Sequence, residues 1–155
     1  MFYEKDKSIV FIGSDHAGYE AKTGLKPFIE SLGFAVTDLG AFDANPIDYP
    51  DVAREVSEKV IEHAKAGAMG VLICGTGIGM SMAANKLPGI RAVLATDENL
   101  AEMGRKHNDA NVLAMGARTT SLDVMKKIVE KFLKTEFEAE ERHLRRVEKM
   151  EKIEK

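Results

Sequence analysis

The chain has no cysteine pair, no excess of basic charge and no apolar run as long as the roughly 18 residues of a membrane-crossing helix. Each absence closes off a class of protein. One cysteine, Cys74, among 155 residues permits no disulfide within the chain and fits a reducing compartment. The formal net charge of -3 argues against a general nucleic-acid binder. The first residues, "MFYEKDKS", are charged and lack the apolar centre of a secretion signal. The expectation is a cytoplasmic protein that engages neither nucleic acid nor membrane. Metal-ligand spacings are missing too: no H-x-x-x-H, H-E-x-x-H or C-x-x-C occurs, so neither a metal nor a cofactor is expected. No repeat, low-complexity run or linker divides the chain.

What is present is a regular alternation. With 45% hydrophobic and 30% charged residues over 155 positions, the chain suits one globular domain with its own core. Apolar runs read as strands: "IVFIGS", "FAVTDLG", "AMGVLICG", "GIRAVLAT" and "NVLAMG". Between them lie amphipathic stretches with helix signals. "YEAKTGLKPFIESLG" stops at Gly33, and "DYPDVAREVSEKVIEHAKAG" has Pro50 near its first turn and Gly67 at its end. "IGMSMAANK" is short, "DENLAEMGRKHN" has Asp97 as N-cap, and "SLDVMKKIVEKFLK" has Ser121. Strands too apolar to leave one face wet call for a parallel sheet covered on both sides. The expected fold is therefore α/β, a three-layer flavodoxin-like sandwich with five parallel strands in the order 2-1-3-4-5. A charged helix from about Glu136 to Lys155 falls outside the alternation. Its stripe of Leu144, Val147, Met150 and Ile153 is expected to dock on a second subunit.

In open sheets of this kind, ligands bind beyond the carboxyl ends of the strands, where strand order reverses. That crevice lies between the first and third strands. The first ends in "SDHAG", with Asp15 and His16, and the third in "CGTGIG". Three glycines at alternate positions let backbone amides approach a ligand, and a following helix adds free N–H groups. Such a turn holds an anion, whether a phosphate or an enediolate oxygen formed during catalysis. The spacing G-x-G-x-G is not the dinucleotide fingerprint, and no Gly-Lys-Ser/Thr follows it as in a P-loop. Cys74 reads either as a small buried hydrophobe at a strand end or as a base, since a helix N-terminus favours the thiolate. Asp15 reads as a helix cap or a ligand contact, and adjacent His16 points elsewhere, so the two form no charge relay. His107 and Asn108 occupy a helix-to-strand loop, while His63 and His143 read as structural. Arg118 follows the fifth strand. Arg142 and Arg146 are four apart on one helical face, either clamping a phosphate or pairing with nearby glutamates.

Taken together, "SDHAG", "DYPD", "ICGTGIGMSMAANK", "GIRAV", "RKHNDANVLAMGAR" and "RHLRRV" resemble the type B ribose-5-phosphate isomerases, the family that includes the bacterial galactose-6-phosphate isomerase subunits. The resemblance runs from about Ile9 to Val147. It implies metal-independent interconversion of ribose 5-phosphate and ribulose 5-phosphate, in the pentose phosphate pathway, through an enediolate. Cys74 would move the proton between C1 and C2. Thr76 and the backbone amides of Gly75, Gly77, Ile78 and Gly79 would stabilise the enediolate. His107 would assist ring opening, with Asp15 at the ring oxygen and Asn108 on a hydroxyl. His16, Arg118, Arg142 and Arg146 would hold the phosphate. The resemblance further implies a homodimer or tetramer with shared sites, the segment from His107 to Arg118 coming from the neighbour.

Two departures stand out. Residues 1–7 precede the usual start, and Ala139, Glu140 and Glu141 stand where the family has a glycine pair, one residue more. The extra residue bears on the register of Arg142 and Arg146. Two other functions fit parts of the pattern: isomerisation of allose or galactose 6-phosphate, and a non-catalytic sugar-phosphate or nucleotide-binding module. A pure binder has no need of a thiolate at position 74.

Overall fold

The computed structural model describes residues 7–153. Five strands, β1 (Ile9–Ser14), β2 (Ala35–Asp38), β3 (Met69–Cys74), β4 (Ala92–Leu94) and β5 (Val112–Gly116), form one sheet whose pairings are all parallel. Six helices accompany them: α1 (Tyr19–Ser31), α2 (Tyr49–Glu62), α3 (Ile78–Ala84), α4 (Glu98–Asn108), α5 (Leu122–Lys134) and α6 (Glu141–Glu151). The expected extension at residues 1–7 lies outside the described residues except for Lys7, as do the last two residues of the chain.

The strands are apolar on both faces because both faces are covered. In β1, Val10 and Ile12 enter one core cluster and Phe11 the other; in β3, Val71 and Ile73 part from Leu72 in the same way. This is the period-2 alternation of a strand, here with two dry sides. The first cluster takes Leu25 and Ile29 of α1, Ala101 of α4, and Met125, Ile128 and Phe132 of α5. The second takes Val52, Val56 and Val60 of α2 with Met80 and Ala84 of α3. The helix starts follow the sequence signals. The Asp97 carboxylate accepts from the Leu100 N–H at 2.8 Å, and the Ser121 hydroxyl from the Val124 N–H at 3.3 Å.

The strand order is β2-β1-β3-β5-β4, so the expected 2-1-3-4-5 is corrected at one edge. The reason is burial. All five residues of β5 are buried, as a central position demands, whereas those of β4 are only half-buried and follow Arg91. The sheet takes the drier strand inside. The β1–β3 junction, where the order reverses, is untouched by the exchange.

Beyond the sheet, α6 spans a shorter stretch than the expected helix from Glu136. Its buried face is His143 and Val147, one turn apart, and it lies against α4. Leu144, Met150 and Ile153 of the expected stripe are exposed, Ile153 to 78%.

Candidate active site

The only thiol ends β3, where the chain must leave the sheet and start α3. Cys74 is buried, and its Sγ lies 3.1 Å from the Gly77 N–H, which donates to it. Gly77 has φ of 81°, a left-handed conformation that glycine adopts freely, and a Cβ there would lie 2.8 Å from the Met115 carbonyl carbon. The turn closes tightly over β5 for that reason. Thr76 is exposed, and its hydroxyl accepts from the Ile78 N–H at 3.3 Å. Gly79 is needed for a different reason: a Cβ would come within 2.7 Å of the Tyr49 ring, which flanks the turn from the start of α2.

Across the switch point, Asp15 is buried and accepts the Gly18 N–H at 3.1 Å, just before α1. The N-cap of α1 is Gly18, so Asp15 tethers the turn before the helix and is not the helix cap expected as one reading. His16 is exposed and its Nδ1 accepts the Ile47 N–H at 3.4 Å. The loop bearing Ile47 is anchored from below. Lys22 is 1% exposed; its Nζ lies 2.8 Å from Asp38 Oδ1 and donates to the Ala41 carbonyl. Lys26 holds the other carboxylate oxygen at 3.0 Å. Burial pushes the Asp38 carboxyl upward, but hydrogen bonds from Lys22, the Gly40 N–H and Lys26 outweigh it and hold the group below its ordinary value.

Arg118 belongs to this half of the molecule. Its N–H donates to the Gly75 carbonyl at 2.9 Å, and its guanidinium lies against Gly75, where a Cβ would meet Nη1 at 3.2 Å. Cys74, the glycine turn, Asp15, His16 and Arg118 thus gather at the carboxyl end of the sheet.

His107, Asn108, Arg142 and Arg146 do not join them. Helix α4 starts at the carboxyl end of β4 and runs back, so His107 and Asn108 in its last turn lie near the amino end of β5. Cys74 pairs with Gly116 at the far end of that strand. Four residue steps from Val112 to Gly116 at about 3.3 Å each put roughly 13 Å of strand between the two groups. Around His107 a second cluster forms. Its ring stacks on that of His143, with centroids 4.5 Å apart and planes 11° from parallel. The Glu138 carboxylate joins them, so that one ligand atom from each of His107, Glu138 and His143 lies within 4.8 Å of the others. The spacing rules did not anticipate this metal-capable trio, because its members come from a helix end, a loop and another helix. The two rings are nearly parallel, so their in-plane lone pairs run side by side and do not converge on one ion. Arg142 is exposed, and its Nε is 3.0 Å from Glu140 Oε2. Arg146 is exposed one turn later on the same helix.

Of the histidines read as structural, His63 packs against Phe11 with ring centroids 5.2 Å apart. His143, by contrast, stands beside a candidate site residue. Lys22 and Glu138 lie in no quoted motif, and Tyr49 and His143, inside "DYPD" and "RHLRRV", were given no role at the site. Only the fold brings them to the two clusters.

Residues 10–150 match the family model described as Ribose/Galactose Isomerase. Ribose-5-phosphate isomerase B of Escherichia coli is 41% identical over 148 residues, covering 96% of this chain and 97% of that protein. The probable ribose-5-phosphate isomerase B of Mycoplasma genitalium is 43% identical over 148 residues, covering 94% and 95%. Among solved structures, the type B ribose 5-phosphate isomerase of Trypanosoma brucei superposes with a TM-score of 0.91 at 41% identity, over 96% of this chain and 99% of that one. The ribose-5-phosphate isomerase B of Clostridium thermocellum gives 0.88 at 43%, over 94% and 96%.

Proposed function

The chain belongs to the ribose/galactose isomerase family, and from that premise we propose that it interconverts D-ribose 5-phosphate and D-ribulose 5-phosphate through an enediolate. The observation that carries the reading is the buried Cys74 thiol under its glycine turn, where the Gly77 N–H donates to Sγ. Ring opening comes first: His107 and Asp15 move a proton from the C1 hydroxyl to the ring oxygen, and the aldehyde is freed. The Cys74 thiolate then removes the hydrogen of C2. Charge builds on the carbonyl oxygen, where Thr76 and the N–H groups from Gly75 to Gly79 stabilise it. The C2 hydroxyl proton passes to the C1 oxygen and the carbon-bound proton returns to C1, so the C2 oxygen becomes the carbonyl and the ketose is complete. Asn108 holds a hydroxyl, and His16, Arg118, Arg142 and Arg146 hold the phosphate. None of these steps calls on a metal or cofactor.

The geometry that supports a shared site is the separation of the two clusters. The base and the ring-opening group must reach neighbouring atoms of one sugar, yet about 13 Å of strand parts them within a chain. A homodimer joins the carboxyl-end cluster of one copy to the His107–His143 cluster of the other. In this reading Arg118 stays with Cys74, and the second copy supplies His107, Asn108, Arg142 and Arg146. The whole chain acts as one catalytic domain, in the cytoplasm. The test is a side-by-side assay of the purified protein with ribose 5-phosphate and allose 6-phosphate. Turnover of the pentose in clear preference supports the proposal, and turnover of the hexose alone overturns it.

A further inference from the structure

We propose that His143 is a positioning residue for ring opening: its buried imidazole fixes the plane of the His107 ring by stacking on it. The inference rests on the reading of His107 as the ring-opening group. His107 sits in the last turn of α4, half-buried, where the helix gives way to Asp109 with φ of 49°. The second torsion of a histidine is broad and roughly two-fold, so a helix-end imidazole does not hold its plane unaided. A proton passed to a ring oxygen travels in the imidazole plane, and that plane therefore sets where the proton goes.

His143 is built to be the restraint. It is 4% exposed, on the buried face of α6 with Val147. The stretch before it is tied to the end of α4 twice. The Glu138 N–H donates to the Lys106 carbonyl at 3.1 Å, and the Lys106 ammonium lies 3.9 Å from the Glu138 carboxylate. Within the chain, the Nε2 of His143 is buried without a hydrogen-bond partner. The ring therefore contributes through its flat face, which lies parallel to His107 at 4.5 Å.

The substrate supplies a test that separates positioning from plain stability. Ribulose 5-phosphate carries its phosphate on the oxygen that would close a furanose, so it is open-chain. Cys74 can exchange its C1 hydrogen with solvent without any ring step, whereas turnover of ribose 5-phosphate, which is almost wholly cyclic in water, begins with ring opening. We would incubate one preparation of the full chain with ribulose 5-phosphate in D2O to measure deuterium entry at C1, and with ribose 5-phosphate to measure isomerisation. Their ratio comes from the same preparation of folded molecules, so partial unfolding of a variant cancels. His107→Ala and His143→Ala should each raise the exchange-to-isomerisation ratio about 10- to 100-fold, the range expected when a proton-transfer group is lost or misplaced. His143→Phe keeps a flat ring at the same place and should stay within about threefold of the parent ratio. A raised ratio in His107→Ala with none in His143→Ala overturns the inference. So does a His143→Phe protein as altered as His143→Ala, because the nitrogen and not the face would then matter. An unchanged ratio in His107→Ala overturns the ring-opening reading itself.

Discussion

Mixing two dead proteins should restore activity if the two clusters meet only between copies. Cys74→Ala removes the proposed base from the carboxyl-end cluster, and His107→Ala removes the proposed ring-opening group from the other. Each homodimer then has two defective sites. A heterodimer has one site with both defects and one with neither. Purified through two different tags, it should show about half the activity of the parent dimer, and a random equimolar mixture about a quarter, because a two-fold interface forms both sites alike. The magnitude follows from the roughly 13 Å of β5 that separates the clusters within a chain, more than a five-carbon sugar's reacting atoms can bridge. The placement of Arg118 against Gly75 sharpens the design. Cys74→Ala mixed with Arg118→Ala should recover nothing, since both changes fall in the same half-site and every site keeps one of them. The assay is steady-state turnover of ribose 5-phosphate by tag-purified heterodimers. Activity no higher than either parent in the first pair would refute the shared site. Recovery in the second pair would refute the assignment of Arg118.

The phosphate grip is tested by arginine replacement. Arg142→Ala or Arg146→Ala should lower kcat/KM about 10- to 150-fold through loss of a charge-assisted contact, and Arg145→Ala should be nearly silent. The reverse order for positions 145 and 146 would mean that the extra residue has shifted the register. Glu140 pairs with Arg142 at 3.0 Å, but both side chains are more than half exposed. Such a pair is worth at most about 1 kcal/mol, so Glu140→Ala should lower KM by no more than about fivefold. Cys74→Ser should cost about 10²–10⁴-fold in kcat while substrate binding stays within a few-fold, and substrate should protect the parent thiol from iodoacetamide. Stability should weaken in acid through Asp38. Its carboxyl is held below the ordinary value, so its contribution is complete above about pH 5 and is lost as pH falls through 4 toward the folded value. Urea unfolding at pH 7 and pH 3 should show a smaller acid loss in Asp38→Asn than in the parent.

The sheet, the helix caps and the crevice were legible because each has a local cause. Unbroken apolar runs in "IVFIGS" and "VLICG" require two covered faces, and Asp97 and Ser121 cap the helices they precede. Cys74, Asp15 and His16 could be placed together from topology alone, since they end adjacent strands. The edge order could not be read, because the difference between β4 and β5 is one of degree in burial, which pairing decides. The division of the candidate residues was equally hidden. "RKHNDANVLAMGAR" is continuous in sequence, yet β5 runs through it and carries His107 and Arg118 to opposite ends of the sheet. Lys22 was silent, and Tyr49 and His143 had no role assigned within "DYPD" and "RHLRRV", for another reason: such side chains on helices acquire meaning only from what the fold sets against them.

The exchange of β4 and β5 has a consequence for the order in which the molecule comes into being. As the chain is synthesised, β1, β2 and β3 can pair as soon as they emerge, since β1 touches both of the others. β4 cannot follow, because among the described residues its only partner is β5, made about twenty residues later. Until then β3 keeps an open edge and residues 92–94 have no strand to join. Arrival of β5 satisfies two edges at once and brings α5 and α6 behind it, so the last third of the chain should assemble in one concerted event. A ribosome stalled before residue 112 would hold a three-stranded intermediate with a sticky margin. The proposed base and Asp15 would already be in place on such a chain, and the cluster around His107 would not.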